Sequence, residues 1–125
     1  MKYADSVTAQ MQAILDQVQE AASDAVDAGA KRAATFTSKQ LRGNSPTKSG
    51  EYKSGWATRK TGLKTYTVYN RKMPGLTHLL EKGHVIRNKK GNFGRVPGKP
   101  HIKPAEQLGI EEFEKATIEE ANKRL

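Results

Sequence analysis

The chain has 125 residues, 35% of them hydrophobic, with a mean hydropathy of −0.77 and a formal net charge of +9. It contains no cysteine, which excludes disulfides, thiolate metal sites and cysteine nucleophiles. No run reaches the roughly 20 apolar residues of a membrane span, and the opening MKYADSVTAQ lacks the apolar core of a signal peptide, so 1–125 reads as one soluble domain whose low apolar content anticipates a partner.

From Asp5 onward, Val7, Met11, Ile14, Val18, Ala22, Ala25, Gly29, Ala33 and Phe36 recur in steps of three and four. That spacing predicts an amphipathic helix of about 30 residues, roughly 45 Å long. Asp5 or Ser6 is suited to cap its start. Asp16, Glu20, Asp24 and Asp27 precede Lys31, Arg32 and Lys39, the order that the helix dipole favours. So long a helix in so small a chain predicts that one end projects or pairs with another subunit, with Met11, Ile14 and Val18 as contact residues. Arg42-Gly43-Asn44-Ser45-Pro46 should end it.

Ser45 to Trp56 reads as a loop leading into a sheet. Gly55–Lys60 and Leu63–Asn70, rich in Thr, Tyr, Val and Trp around a Thr61-Gly62 break, predict a β-hairpin with Trp56, Tyr66 and Val68 in the core. Leu76, Leu79 and Leu80 share one face of a short helix, and Gly83 ends it. His84–Arg87 and Arg95–Val96 flank a glycine-loosened tip, Asn88 to Gly94, and predict a hairpin arm with a mobile basic tip. Pro104 fits the first turn of a final amphipathic helix carrying Ile110, Phe113, Ala116, Ala121 and Leu125. The fold class expected is α+β: a long N-terminal helix, a small antiparallel sheet with a basic hairpin arm, a short middle helix and a C-terminal helix.

Charge is unevenly distributed along these elements. Residues 1–30 hold one base and five acids, a net of −4; residues 31–103 hold 18 bases and two acids, a net of +16; residues 104–125 hold three bases and six acids, a net of −3. Lys82, Arg87, Lys89, Lys90, Arg95, Lys99 and Lys103 follow one another with no intervening acid. Such a block predicts contact with nucleic acid or with the acidic ends of neighbouring copies. Arg87, Lys89, Lys90, Arg95 and Lys99 would supply the charge, and Phe93 a ring able to stack on an open base.

Catalytic and cofactor chemistry finds little support. His78, Glu81 and His84 do not converge, because His84 lies about 240° round the helix from His78 and beyond the Gly83 stop. Glu81 reads instead as a cap or an ion-pair partner. Paired-carboxylate or Mg²⁺ chemistry needs converging acids, and the middle of the chain offers only Glu51 and Glu81. No nucleophile elbow and no dinucleotide loop is present. We expect no enzyme, no metal and no cofactor.

One order of motifs remains: Ser45-Pro46, Ser49-Gly50-Glu51-Tyr52, Gly55-Trp56, then Leu79-Leu80-Glu81-Lys82-Gly83-His84, a basic glycine-rich loop, and Pro100-His101-Ile102-Lys103-Pro104-Ala105. It resembles the small tail-completion, or head-tail joining, proteins of long-tailed double-stranded DNA phages and their prophage relatives. Trp56, Leu79, Leu80, Glu81, Gly83 and Pro104 are its structural residues. The resemblance implies a structural virion protein at the neck, several copies forming a ring between the head connector and the tail tube. The homo-oligomer would be made in the host cytoplasm and kept in the virion. Two alternatives accompany it: a nonspecific double-stranded DNA-binding protein, and a tail-tube terminator.

Overall fold

The computed structural model describes residues 2–46, 50–88 and 90–125. The architecture is α+β, as expected. Helix α1 (Lys2–Asn44) leads to a single helical turn, α2 (Glu51–Ser54), within the segment expected to be loop. Strands β1 (Trp56–Gly62) and β2 (Thr65–Asn70) form one antiparallel hairpin, with Trp56 opposite Asn70. A 3₁₀ turn (Pro74–Leu76) opens the short helix α3 (Thr77–Lys82). A second antiparallel hairpin, β3 (Gly83–Asn88) and β4 (Gly91–Pro97), is the arm, and α4 (Ile102–Arg124) closes the chain. The two hairpins are separate two-stranded sheets.

Helix α1 runs 43 residues without a break, about 65 Å at 1.5 Å per residue. It starts before Asp5 and Ser6, so both lie inside the helix and neither caps it. It ends where Gly43, Asn44 and Pro46 cluster; Ser45 follows and hydrogen-bonds back to the Leu41 carbonyl.

Helix α4 packs antiparallel along the C-terminal half of α1. Small residues set the spacing: Ala25, Gly29 and Ala33 on α1 are buried, as are Ala105, Gly109 and Ala116 on α4. A Cβ added at Gly29 would lie 2.1 Å from Thr117 Oγ1, and one at Gly109 would lie 2.2 Å from Thr37 Oγ1. The backbones approach too closely for larger side chains. This corrects the expected apolar face of α4: Ala116 is fully covered, but Ile110 is 61% exposed and Leu125 70%. Arg32 locks the register, its guanidinium reaching Glu119 Oε2 at 2.7 Å and Glu120 Oε1 at 3.2 Å.

The core is compact and lies at the far end of α1. Leu41, Tyr52, Trp56 and Ala105 are buried there, with Val68, Met73, Leu76, Leu80 and Ile102 packed around them. Of the three leucines of the middle helix, Leu76 and Leu80 face this cluster, and Leu79 is 41% exposed. Tyr66 is half-buried, its hydroxyl donating to Asp27 Oδ1 at 3.1 Å, so the first hairpin leans on α1. Among the described residues no helix is long and apolar enough to cross a membrane.

Candidate assembly surfaces

The motif residues that stand far apart in the chain meet in one hydrogen-bonded junction beside the core. Glu81, at the end of α3, points its carboxylate at the start of α4. Oε1 accepts the backbone N–H of His101 at 2.7 Å and of Ile102 at 2.8 Å, and Oε2 accepts that of Lys103 at 3.0 Å. The next residue is Pro104, which has no N–H to satisfy. One carboxylate and one proline therefore account for every free donor of the helix start. Burial works to raise the Glu81 carboxyl, but the N–H groups of His101, Ile102 and Lys103 outweigh it and hold the group below its usual range.

His101 is 1% exposed and sits at the centre of the junction. Its Nδ1 faces the Lys99 carbonyl at 2.7 Å and Glu81 Oε1 at 3.0 Å, both acceptors. In the neutral ring the proton thus belongs on Nδ1, and Nε2 accepts from the Tyr52 hydroxyl at 2.7 Å. Burial, with the nearby Glu81 charge adding to it, pushes the Tyr52 hydroxyl up to about 12, which keeps it a donor. The rings of Tyr52, Trp56 and His101 pack edge to face, with centroids 5.5 to 6.4 Å apart. Trp56 Nε1 donates to Ser45 Oγ at 2.8 Å, and Asn70 Nδ2 donates to the Tyr52 carbonyl at 2.7 Å. Glu81 is thus turned toward α4, away from any metal arrangement with His78 and His84. Tyr52 and His101 both stand within the motifs, but a buried tyrosine–histidine pair 49 residues apart carries no local sequence signal.

The arm rises directly from this junction. Gly83 has φ +79, and a Cβ there would lie 2.3 Å from the Val96 carbonyl oxygen. A Cβ at Gly98 would lie 2.5 Å from the Glu81 carbonyl oxygen. Only glycines allow the two feet of the arm to cross backbone to backbone. Gly83 does end α3, but with ψ 177, an extended glycine conformation distinct from the left-handed helical one. Of the predicted contact residues, Lys90, Arg95 and Lys99 are exposed. Arg95 Nη2 donates to the Lys82 carbonyl at 2.6 Å, which ties it to the base of the arm. Lys89, and the side chains of Arg87 and Phe93, lie outside the described residues.

A second surface is the free end of α1. Met11 is 59% exposed, Ile14 60% and Val18 46%, with Val7 and Leu15 beside them. Their stripe continues the face that α4 covers lower down, but α4 stops at Arg124, level with Glu20, Ala21 and Asp24. A third is a groove of about 490 Å³ between α1, α4 and the first hairpin, floored by Ala30, Ala33, Ala34 and Thr37.

Residues 5–83 match the HK97-gp10-like family, described as "Bacteriophage HK97-gp10, putative tail-component". The match runs from α1 through α3 and ends at the first foot of the arm. No curated protein and no solved structure matches the chain. With well over half its length matched, and with the motif residues Ser45, Trp56 and Glu81 assembled in one junction, the chain belongs to the HK97-gp10-like family of phage tail components.

Proposed function

We propose that this tail component acts at the head-tail junction, as a tail-completion or head-tail joining protein that forms a ring between the head connector and the tail tube. The observation that carries this reading, beyond family membership, is the free end of α1. Five large apolar residues, Val7, Met11, Ile14, Leu15 and Val18, are each more than 40% exposed on the stretch of α1 that extends past the end of α4. Covering what remains exposed of each is worth about 1 kcal/mol per side chain, which suits a protein completed by its neighbours. The basic arm, Arg87 to Lys99, serves as the contact to an adjoining subunit or to the DNA passing through the ring. Partners of this kind are the connector and the tail-tube or terminator proteins.

Silencing the gene in its phage should leave filled heads and finished tails unjoined. Normal yields of joined, infectious particles would overturn the proposal. The +16 block favours a second reading, nonspecific binding of duplex DNA by the free chain. That reading requires binding that falls steeply as salt rises, and no measurable binding at about 50 mM salt would remove it. A terminator role would instead appear as tails of uncontrolled length in the silenced phage.

A further inference from the structure

We propose that the free end of α1 in one copy lies in the α1–α4–hairpin groove of the next, so that subunits join head to tail. This rests on the ring reading above and names its contact. The two surfaces are distinct patches of one chain, and unlike patches that fit each other generate rings when the rotation closes. Their lengths agree: the stripe from Val7 to Val18 and the groove floor from Ala30 to Leu41 each span eleven helical steps, about 17 Å. Their shapes agree as well. Small side chains line the floor, while Ile110 and Phe113 on one side and Tyr66 and Val68 on the other form apolar walls.

Charge adds direction. Between residues 6 and 24 the rod carries Asp16, Glu20 and Asp24 and no base, while the first hairpin carries Arg59 and Lys64 beside Lys60, which Asp27 of the same copy holds at 3.2 Å. An acidic rod is attracted to that basic wall. The occupant cannot be the same copy's own α1 end, because α1 is an unbroken helix that also forms the groove floor.

The absence of cysteine makes the test clean. A full-length chain carrying both Ile14→Cys and Phe113→Cys is oxidised and run without reductant. Within one copy these positions lie roughly 30 Å apart along α1, far beyond the approximately 7 Å that a disulfide spans. The expected result is a ladder of covalent oligomers ending in a closed ring, with neither single variant giving a covalent oligomer. Covalent dimers of Ile14→Cys alone would show stripe meeting stripe and overturn the proposal. Met11→Asp should weaken association at least about tenfold with an unchanged melting temperature at dilutions where the chain is monomeric, since Met11 is exposed in the single chain. An oligomer by sedimentation that gives no Ile14–Phe113 cross-link and tolerates Met11→Asp would overturn this contact and leave the ring reading intact. A chain that stays monomeric and traps nothing would overturn both.

Discussion

The carboxylate of Glu81 holds the backbone N–H of His101, twenty positions further along the chain, at 2.7 Å. That bond, with its two neighbours from Ile102 and Lys103, joins the end of α3 to the start of α4. Glu81→Ala would leave all three donors without a protein partner. We expect a loss of about 2–4 kcal/mol, and about 1–2 kcal/mol for Glu81→Gln, which keeps an acceptor without its charge. Urea denaturation measures both. Equal losses would show that the charge contributes nothing.

Acid should unfold the protein through a small set of carboxyls. Asp27 is lowered chiefly by Lys60, Glu119 by Arg32, and Glu120 to about 2, chiefly by Arg124; Glu81 is lowered by its backbone donors against the effect of burial. Folded values below the unfolded ones mean that the unfolded chain takes up protons first. Their stabilisation is therefore complete above the ordinary carboxylate value of 4.5 (3.8 for Asp27) and is lost as pH falls toward 2. Melting temperature should be level from pH 7 to 5 and drop steadily below. The drop should be shallower in Glu120→Gln. A melting temperature unchanged from pH 5 to 3 would contradict this account.

Two helical glycines should respond oppositely to alanine. At Gly29 the new methyl meets Thr117 within 2.1 Å, so α4 must shift, a cost of about 1–3 kcal/mol. At Gly43 nothing lies within 4 Å, so Gly43→Ala should stabilise α1 by about 0.5–1 kcal/mol. Thermal melts of the two variants, run side by side, decide whether helix spacing or helix propensity governs α1.

The arm should be separable from the fold. Among the described residues, none of the buried core side chains comes from β3 or β4. Removing Asn88 to Gly94 should leave the melting temperature within a few degrees of the parent and should reduce joining of heads to tails. Unimpaired joining would take the arm out of assembly.

Much of this architecture was legible in the sequence because local rules dominate it. Three-and-four spacing announced α1, the cluster of Gly43, Asn44 and Pro46 announced its end, and Pro104 announced the start of α4. The identity of the packed face was harder. Hydrophobicity points to Ile110 and Phe113, but where Gly29 meets Thr117 and Gly109 meets Thr37 the backbones are too close for large side chains, so alanine and glycine form the contact. Periodicity also could not tell which part of the α1 stripe α4 would cover. Glu81 was readable as a cap or an ion-pair partner, yet its helix lies twenty residues on, beyond the reach of a local motif. His101, polar by type, gave no sign of being the best-covered large side chain.

The arm's footing has a mechanical consequence. Glu81 stands two positions before Gly83, and His101 three after Gly98, so the cap of α4 is fastened at the point where the arm leaves the body. With Gly83 and Gly98 pressed backbone to backbone, there is no slack loop to absorb a pull. Load taken up at the arm therefore passes through the short step from Gly98 to His101 straight into α4, with Glu81 bracing that joint from α3.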